Sequence, residues 1–593
     1  MNAALVQTRA ALGEAGRAAR AGWRPVYTVA ALVVVLALLL PWYAPGWVEI
    51  DTLAGWVYLA LAAEGLWLAA GLAGMPSLGQ GAFMSIGAFT TALLTAHAGW
   101  PAEATVPIGV LTALATGLVI GAAVIRLPRL YIAVSTWILT WLVVLLASEF
   151  PGISGGAQGY VVPSSLDPTA HYVLAVTLTI LLVVAGIALQ RSSVGVRLRA
   201  LRDFPAAAVR LGAPREKLLL GAFTASAAVG GLAGSLSVQL AGVSDPNEFG
   251  PFTAFKLLVA VLIGGAAFAG AGPVGVLAVG GIALVVRGWA AAGGGSSAQL
   301  EPLLAAILLL LVLGLGSDGL LPALARFRDR HRARKPAFPA TGAPFIRRRR
   351  PAELSAHGLR KRFGGLEALA GLDLRVERGE CIAIVGANGS GKTTALRALS
   401  GVMELDGGEI LLNGRPPPAP APLAWVDAGI VCTLQGTAVF RSLTALENVM
   451  VGAGLHRRFG GPFRTLAATP KSRTESRQVR TRSLEALRFV GLGGAAKTPV
   501  ELLDSHEQRL LMLASALAAE PRVLLLDEPS AGATAGEAIR LGDVVQAIKH
   551  LGVSLVVVEH NVRLVSSIAD RVVVMAEGRA VADGPPEELA LAH

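Results

Sequence analysis

The chain changes character near residue 325. Before that point long apolar runs follow one another with few interruptions, and beyond residue 353 short apolar runs alternate with amphipathic ones. A helix needs roughly 20 predominantly apolar residues to cross the hydrocarbon core of a bilayer. About ten stretches meet that requirement: residues 26–44, 52–73, 78–98, 104–125, 130–149, 171–190, 217–241, 254–271, 273–292 and 302–321. Glycine-rich sequence from Gly264-Gly265 to Gly280-Gly281 also permits broken or re-entrant helices, which would leave about eight spans. After residue 353 the pattern is strand then helix, as in Cys381 to Val385 followed by a helix from Lys392. That alternation predicts an α/β domain.

Composition and charge agree with this division. Apolar residues make up 53% of the chain and charged residues 15%, with a mean hydropathy of +0.60, against about 25% charged in a typical globular protein. A wholly soluble protein is excluded. The net charge of +11 is read as membrane topology, not as a nucleic-acid surface, because the basic residues crowd the ends of the apolar segments. Arg9, Arg17, Arg20 and Arg24 precede the first span; Arg126 with Arg129 follow the fourth, and the stretch Arg191 to Lys217 follows the sixth. Each is expected on the cytoplasmic side. The acidic loop with Asp245 and Glu248 falls outside. The first apolar run is too long for a signal peptide and is read as a retained span. Arg326 to Arg350 is a basic, proline-containing tether suited to anionic lipid headgroups. The predicted domains are therefore a basic N-terminus (1–25), a transmembrane domain (26–325), a basic linker (326–352) and the C-terminal domain (353–593). Cys381 and Cys432 both lie in apolar strand-like runs and are expected as buried free thiols.

Two motifs carry chemistry. Gly386-Ala387-Asn388-Gly389-Ser390-Gly391-Lys392-Thr393-Thr394 has the P-loop spacing and sits between a strand and a helix. Its glycines let backbone N–H groups converge on phosphates at a helix N-terminus; Lys392 would reach the β- and γ-phosphates of ATP, and Thr393 would hold Mg²⁺. Downstream, Val523 to Leu526 is an apolar strand ending in Asp527, Glu528 and Pro529. Asp527 is a candidate metal carboxylate, and Glu528 stands where a base would polarise the attacking water. An ATPase domain of this kind lies in the cytoplasm, so the number of spans must be even.

From about residue 353 to 590 the chain resembles the ATP-binding cassette proteins. The resemblance implies that Phe363, in Lys361-Arg362-Phe363-Gly364-Gly365, stacks on adenine, with a core phenylalanine as the alternative. It implies that Gln435 senses Mg²⁺ and meets the permease, and that His560 touches the γ-phosphate. One motif departs from the family. Where Leu-Ser-Gly-Gly-Gln is expected, the chain reads Leu503-Asp504-Ser505-His506-Glu507-Gln508-Arg509, and the carboxylates of Asp504 and Glu507 would repel a phosphate. Thr534 replaces the usual Asp or Asn of the D-loop. In this family each ATP lies between the P-loop of one subunit and the signature of another. The resemblance thus implies a heterodimer with a second cassette carrying an intact signature, one composite site being degenerate.

The apolar part resembles branched-chain amino-acid importer permeases over about residues 50 to 320. The residues concerned are Ser77 to Phe89 (SLGQGAFMSIGAF), Arg126 to Thr136 (RLPRLYIAVST), Ser154-Gly155-Gly156, Arg191 to Lys217, and Ile263-Gly264-Gly265 with Gly272-Pro273. The chain looks like the larger, M-type permease fused to the G-type ATPase. Small residues in membrane helices also have a plain packing role. Within Arg199 to Gly212, Arg202, Ala206, Ala207, Leu211 and Gly212 are implied to form a coupling helix that docks on the ATPase, an amphipathic helix on the membrane being the alternative. Glu64, an intramembrane carboxylate, is a candidate for the transport pathway or a partner within the bundle. The family implies ATP-driven import across the cytoplasmic membrane, with a second permease, a second ATPase and an extracytoplasmic solute-binding protein as partners. Branched-chain amino acids are the leading substrate class; urea, short amides or aromatic acids are alternatives, as are an exporter or a non-transport membrane ATPase.

Overall fold

A computed structural model describes residues 49–156, 159–289, 351–417, 422–433, 438–454 and 470–589, with a few isolated positions besides. These residues form two compact units. One lies within Met1–Leu68, Pro76–Gly186 and Phe223–Leu324, the other within Ala69–Met75, Ile187–Ala222 and Ala325–His593.

The first unit is helical. Helix α1 (Ile50–Trp67) runs on as a π-helical turn (Leu68–Leu72) and is followed by α2 (Gln80–Ala98), α3 (Ala102–Val124), α4 (Arg129–Glu149) and α5 (Pro168–Gln190). After two short helices that belong to the second unit, α6 (Ser193–Asp203) and α7 (Pro205–Arg210), come α8 (Arg215–Ala241), α9 (Pro251–Gly264) and α10 (Ala271–Trp289). Among the described residues six helices are long and apolar enough to cross a membrane: α1 with its extension, α2, α3, α4, α5 and α8. They match six of the ten expected segments. The segments at 254–271 and 273–292 become α9 and α10, with a break between them. At 14 residues, α9 reaches about 21 Å, short of a ~30 Å hydrocarbon core. The expected spans at 26–44 and 302–321 lie, for nearly all their length, outside the described residues.

Close packing explains the glycines of the SLGQGAF stretch. A Cβ on Gly81 would stand 2.3 Å from the carbonyl oxygen of Phe249, and one on Gly87 would stand 2.2 Å from that of Gly231. Neither position has room for a side chain. Gln80, buried beside them, donates from Nε2 to the carbonyls of Ala62 and Ser226 and accepts from Ser226 Oγ. Thr136, from the second stretch, accepts from Leu78 N at 2.9 Å, and Thr140 Oγ1 donates to Leu78 O at 2.8 Å. The unwound backbone before α2 thereby has its polar groups satisfied away from water.

Glu64 is fully buried. Its Oε1 accepts from Gly270 N at 2.9 Å and its Oε2 from Gly272 N at 3.3 Å, and Trp67 Nε1 donates to Ala266 O at 3.0 Å. The carboxylate caps the N-terminus of α10 where the chain breaks. Both of its oxygens thus have partners within the bundle.

The second unit is the α/β domain. A three-stranded antiparallel sheet runs in the order β2 (Leu366–Val376), β1 (Leu354–Phe363), β4 (Gly407–Leu412). A six-stranded sheet has the order β5 (Ile430–Cys432), β6 (Val523–Asp527), β7 (Ser554–Val558), β3 (Cys381–Val385), β8 (Arg571–Ala576), β9 (Arg579–Gly584). Its first five strands are parallel and β9 is antiparallel. Strands covered on both faces read as unbroken apolar runs, as Val523 to Leu526 does, all fully buried. Helix α11 (Lys392–Leu399) packs Leu396 and Leu399 into the core formed with Ile382, Ile384, Leu525 and Val556. Both cysteines are free and buried, and burial pushes each thiol up to about 12.

Candidate functional site

The P-loop follows β3 and opens α11. Three of its glycines have positive φ: Gly386 (150°), Gly389 (85°) and Gly391 (100°). At Gly386 a Cβ would meet Met575 O at 2.2 Å, and at Gly391 it would meet Ala368 O at 2.5 Å. Backbone strain and lack of space both demand glycine there. Asn388 is exposed at the loop tip, while Thr393 and Thr394 are half-buried in the first turn of α11. Lys392 is buried, and its Nζ donates to the carbonyls of Gly386 and Ala387, each at 2.8 Å. Burial holds its ammonium below the ordinary range, against the pull of Glu528.

Strand β6 delivers Asp527 and Glu528 to the same edge of the sheet. Asp527 is buried; desolvation and then the charge of Glu528 push its carboxyl up, while Arg210 and Arg397 act in the opposite direction. Glu528 sits at φ 45°, and its Oε1 lies 3.5 Å from His560 Nε2. Among the described residues Asp527 Oδ1 and Ser390 Oγ are buried without a hydrogen-bond partner. Unpartnered buried oxygens at a phosphate-binding edge fit a metal–nucleotide that would satisfy them.

Phe363 ends β1 with 51% of its surface exposed, and Lys361 Nζ stands 5.9 Å from its ring centroid. A core role is thereby excluded. Gln435 lies outside the described residues. Glu559 carries little signal in the sequence, where it is one acidic residue at the end of an apolar strand. It is buried at 2% exposure. Its Oε1 accepts from Ser530 N at 2.7 Å and its Oε2 from His560 N at 3.0 Å, so it ties the D-loop to the backbone of His560. Thr433 is a second such residue, its Oγ1 accepting from Asp527 N at 3.3 Å.

The divergent signature begins α15 (Ser505–Leu517), reached after α12 (Pro422–Ala428), α13 (Ala445–Ala453) and α14 (Pro470–Phe489). Asp504 is its N-cap: Glu507 N donates to Asp504 Oδ1 at 2.8 Å and Asp504 N donates to Glu507 Oε2 at 3.0 Å. Ser505 is exposed and His506 half-buried. Burial and then Arg540 hold His506 below its ordinary value, so it adds little positive charge beside the two acids at neutral pH. Thr534 starts α16 (Ala535–His550), its N–H donating to Glu537 at 2.8 Å.

Segment 187–222 belongs to the same unit. Ser192 Oγ caps α6 by accepting from Gly195 N at 3.1 Å. Helix α6 packs on α13, and α7 on α12. Of the expected coupling residues, Ala207 and Leu211 are buried, Gly212 is buried at φ 86°, and Ala206 is exposed. Arg202 Nη1 donates to Gly71 O at 2.6 Å. A crevice is lined by Ala207, Arg210 and Leu211 on one side and Cys432, Phe440 and Asn448 on the other. These contacts are to protein.

A P-loop, a buried carboxylate with an adjacent glutamate, and a histidine beside that glutamate, carried on this sheet and joined to a multi-pass helical unit, define an ATP-binding cassette ATPase coupled to a membrane permease. Residues 50–313 match the family model of the branched-chain amino acid transport system permease component, and residues 369–531 that of the ABC transporters. The high-affinity branched-chain amino acid transport ATP-binding protein BraF of Pseudomonas aeruginosa is 34% identical over 238 residues, covering 40% of this chain and 92% of that protein. LivG of Escherichia coli, of the same description, is 32% identical with the same coverage. The ribose import ATP-binding protein RbsA 2 of Rubrobacter xylanophilus is 33% identical over 233 residues, covering 39% of this chain and 43% of that protein. The chain belongs to the branched-chain amino acid ABC transport family and carries a permease component and an ATP-binding component in one polypeptide.

Proposed function

We propose that the chain is the fused permease and ATPase subunit of an importer for branched-chain or related amino acids, working in the cytoplasmic membrane with its N-terminus and cassette in the cytoplasm. The observation that carries this reading is the presence, in one chain, of the permease match at 50–313 and a cassette 34% identical to BraF. The domain boundaries follow: 1–25, 26–325, 326–352 and 353–593.

In the cassette, the backbone N–H groups of Gly386 to Thr394 and Lys392 would hold the phosphates of ATP. Thr393, Asp527 and Gln435 would hold Mg²⁺, which when bound neutralises charge on the β- and γ-phosphate oxygens. Glu528 polarises the attacking water and His560 meets the γ-phosphate. Phe363, exposed at the end of β1, stacks on adenine. The carboxylates at Asp504 and Glu507 make the signature unfit to cover a phosphate. The active assembly therefore pairs this chain with a second cassette bearing an intact signature, a second permease, and an extracytoplasmic solute-binding protein. Lipid headgroups hold the basic linker. Closure of the cassette pair is passed through α6 and α7 to the permease, producing alternating access.

Uptake of radiolabelled leucine, isoleucine and valine by cells expressing the chain with its partner subunits tests this. ATP-dependent uptake that requires the binding protein is expected. Uptake of urea or benzoate without leucine would reassign the substrate, and export without a binding protein would overturn the importer. Full ATPase turnover by the isolated chain would overturn the heterodimer.

A further inference from the structure

Helix α6 grips the start of α13 at two points. Arg199, at 7% exposure, places Nη2 2.6 Å from Glu447 Oε1 and 3.2 Å from Gln190 O. One helical turn further on, Asp203 Oδ2 accepts from Ser442 N at 2.7 Å. Residues spaced i and i+4 share a helix face, so α6 presents a cation and an anion side by side to the six residues from Ser442 to Glu447. Glu447 has a second duty. Its Oε2 accepts from Thr444 N at 3.0 Å and Thr444 Oγ1 at 3.1 Å, while Glu447 N donates to Thr444 Oγ1 at 3.3 Å. One carboxylate thus closes the first turn of α13 with one oxygen and receives Arg199 with the other. Burial pushes this carboxyl up, but Arg199 and the Thr444 bonds outweigh it and hold it below the usual range, so the group is ionised.

With Arg199 buried and Glu447 half-buried, the pair contributes little net stability, because each charge loses much of its hydration. Removing Glu447 is another matter, since the buried guanidinium of Arg199 then loses its counter-charge. Such an interaction discriminates between partners more than it strengthens the correct one.

We propose that the Arg199–Glu447 pair, flanked by Asp203 on Ser442, is the key by which the permease segment selects this chain's own cassette over that of the partner subunit. The proposal rests on the coupling role of α6 and α7 and names the residues that determine its specificity. Arg199 and Glu447 are positioning residues and do not touch nucleotide.

The test uses the full-length chain in lipid nanodiscs, with amide hydrogen exchange of α6 and fluorescent ATP-analogue binding as readouts. Arg199→Glu and Glu447→Arg should each speed exchange across Ser193–Asp203 by about tenfold or more. The double reversal should return it to within about threefold of the unmodified chain, with nucleotide binding unchanged throughout. Should a reversal fail to fold, Arg199→Gln, Glu447→Gln and their combination serve instead, the double being no worse than either single. Singles that exchange like the unmodified chain, or a double showing the sum of two losses, would overturn the key. Restored protection in the swap together with normal uptake in an Ala207→Arg variant would leave the key standing and remove the coupling role.

Discussion

The cassette contains two helix N-termini whose family counterparts touch nucleotide, and they are built in opposite ways. At α11 the chain arrives through glycines at positive φ, no side-chain acceptor caps the first turn, and the neighbouring cation is Lys392. At α15 the donors of the first turn are consumed from within, by the reciprocal bonds of Asp504 and Glu507. A helix N-terminus attracts an anion because its first N–H groups lack partners and the helix dipole points its positive end there. A capping box removes both advantages, satisfying the donors and adding negative charge. An open first turn leaves donors for a phosphate, whereas at α15 the capping box spends them on the helix's own first turn.

The largest expected effect lies at the intact end. Glu528→Gln should lower ATPase turnover of the assembled transporter by about 100-fold or more while leaving MgATP binding in place, as steady-state hydrolysis and equilibrium binding would show. Unchanged turnover would remove Glu528 from the chemistry. Reopening α15 is next: D504S/S505G/H506G/E507Q should raise hydrolysis by the chain alone by about tenfold or more. No rise despite a folded cassette would mean that α15 is disabled by more than its cap. Glu559→Gln should lower the unfolding free energy by about 1–3 kcal/mol, because Ser530 N and His560 N lose a charged acceptor; thermal unfolding of the full chain measures it. Asp504→Ala should cost about 1 kcal/mol by the same measurement.

The smallest effect is in pH. His506 is held below its ordinary value in the folded state, so as pH falls the unfolded chain binds its proton first. Its contribution is fully present above about pH 6.5 and is lost as pH falls from there through the lowered folded value. His506→Gln should flatten that part of the stability profile, read from thermal unfolding between pH 7.5 and 5. A profile that does not change would mean that His506 is not shielded by Arg540 and burial.

Much of this was readable in the residues. The P-loop, the strand Val523 to Asp527 and the basic helical segment from Arg191 to Lys217 each announce themselves locally, because a strand buried on both faces is apolar throughout and a phosphate loop must be glycine-rich. The departure at Leu503 to Arg509 was equally plain. Less legible were features depending on which segments meet. Glu64 read as a carboxylate in a span, with transport or pairing both open; only the break between α9 and α10 shows that Gly270 and Gly272 supply its donors. Likewise Glu559 gave no pattern of its own, since its partners Ser530 and His560 come from two different loops.

Order along the chain thus determined the class of protein, its two-part construction, the phosphate loop and the departure from the family pattern at Leu503 to Arg509. Those properties reside in short stretches whose spacing is itself the chemistry. Tertiary structure decided where charges find partners. Arg199 and Glu447 lie 248 positions apart, and no local rule links them; only the fold brings the buried guanidinium of Arg199 to its counter-charge.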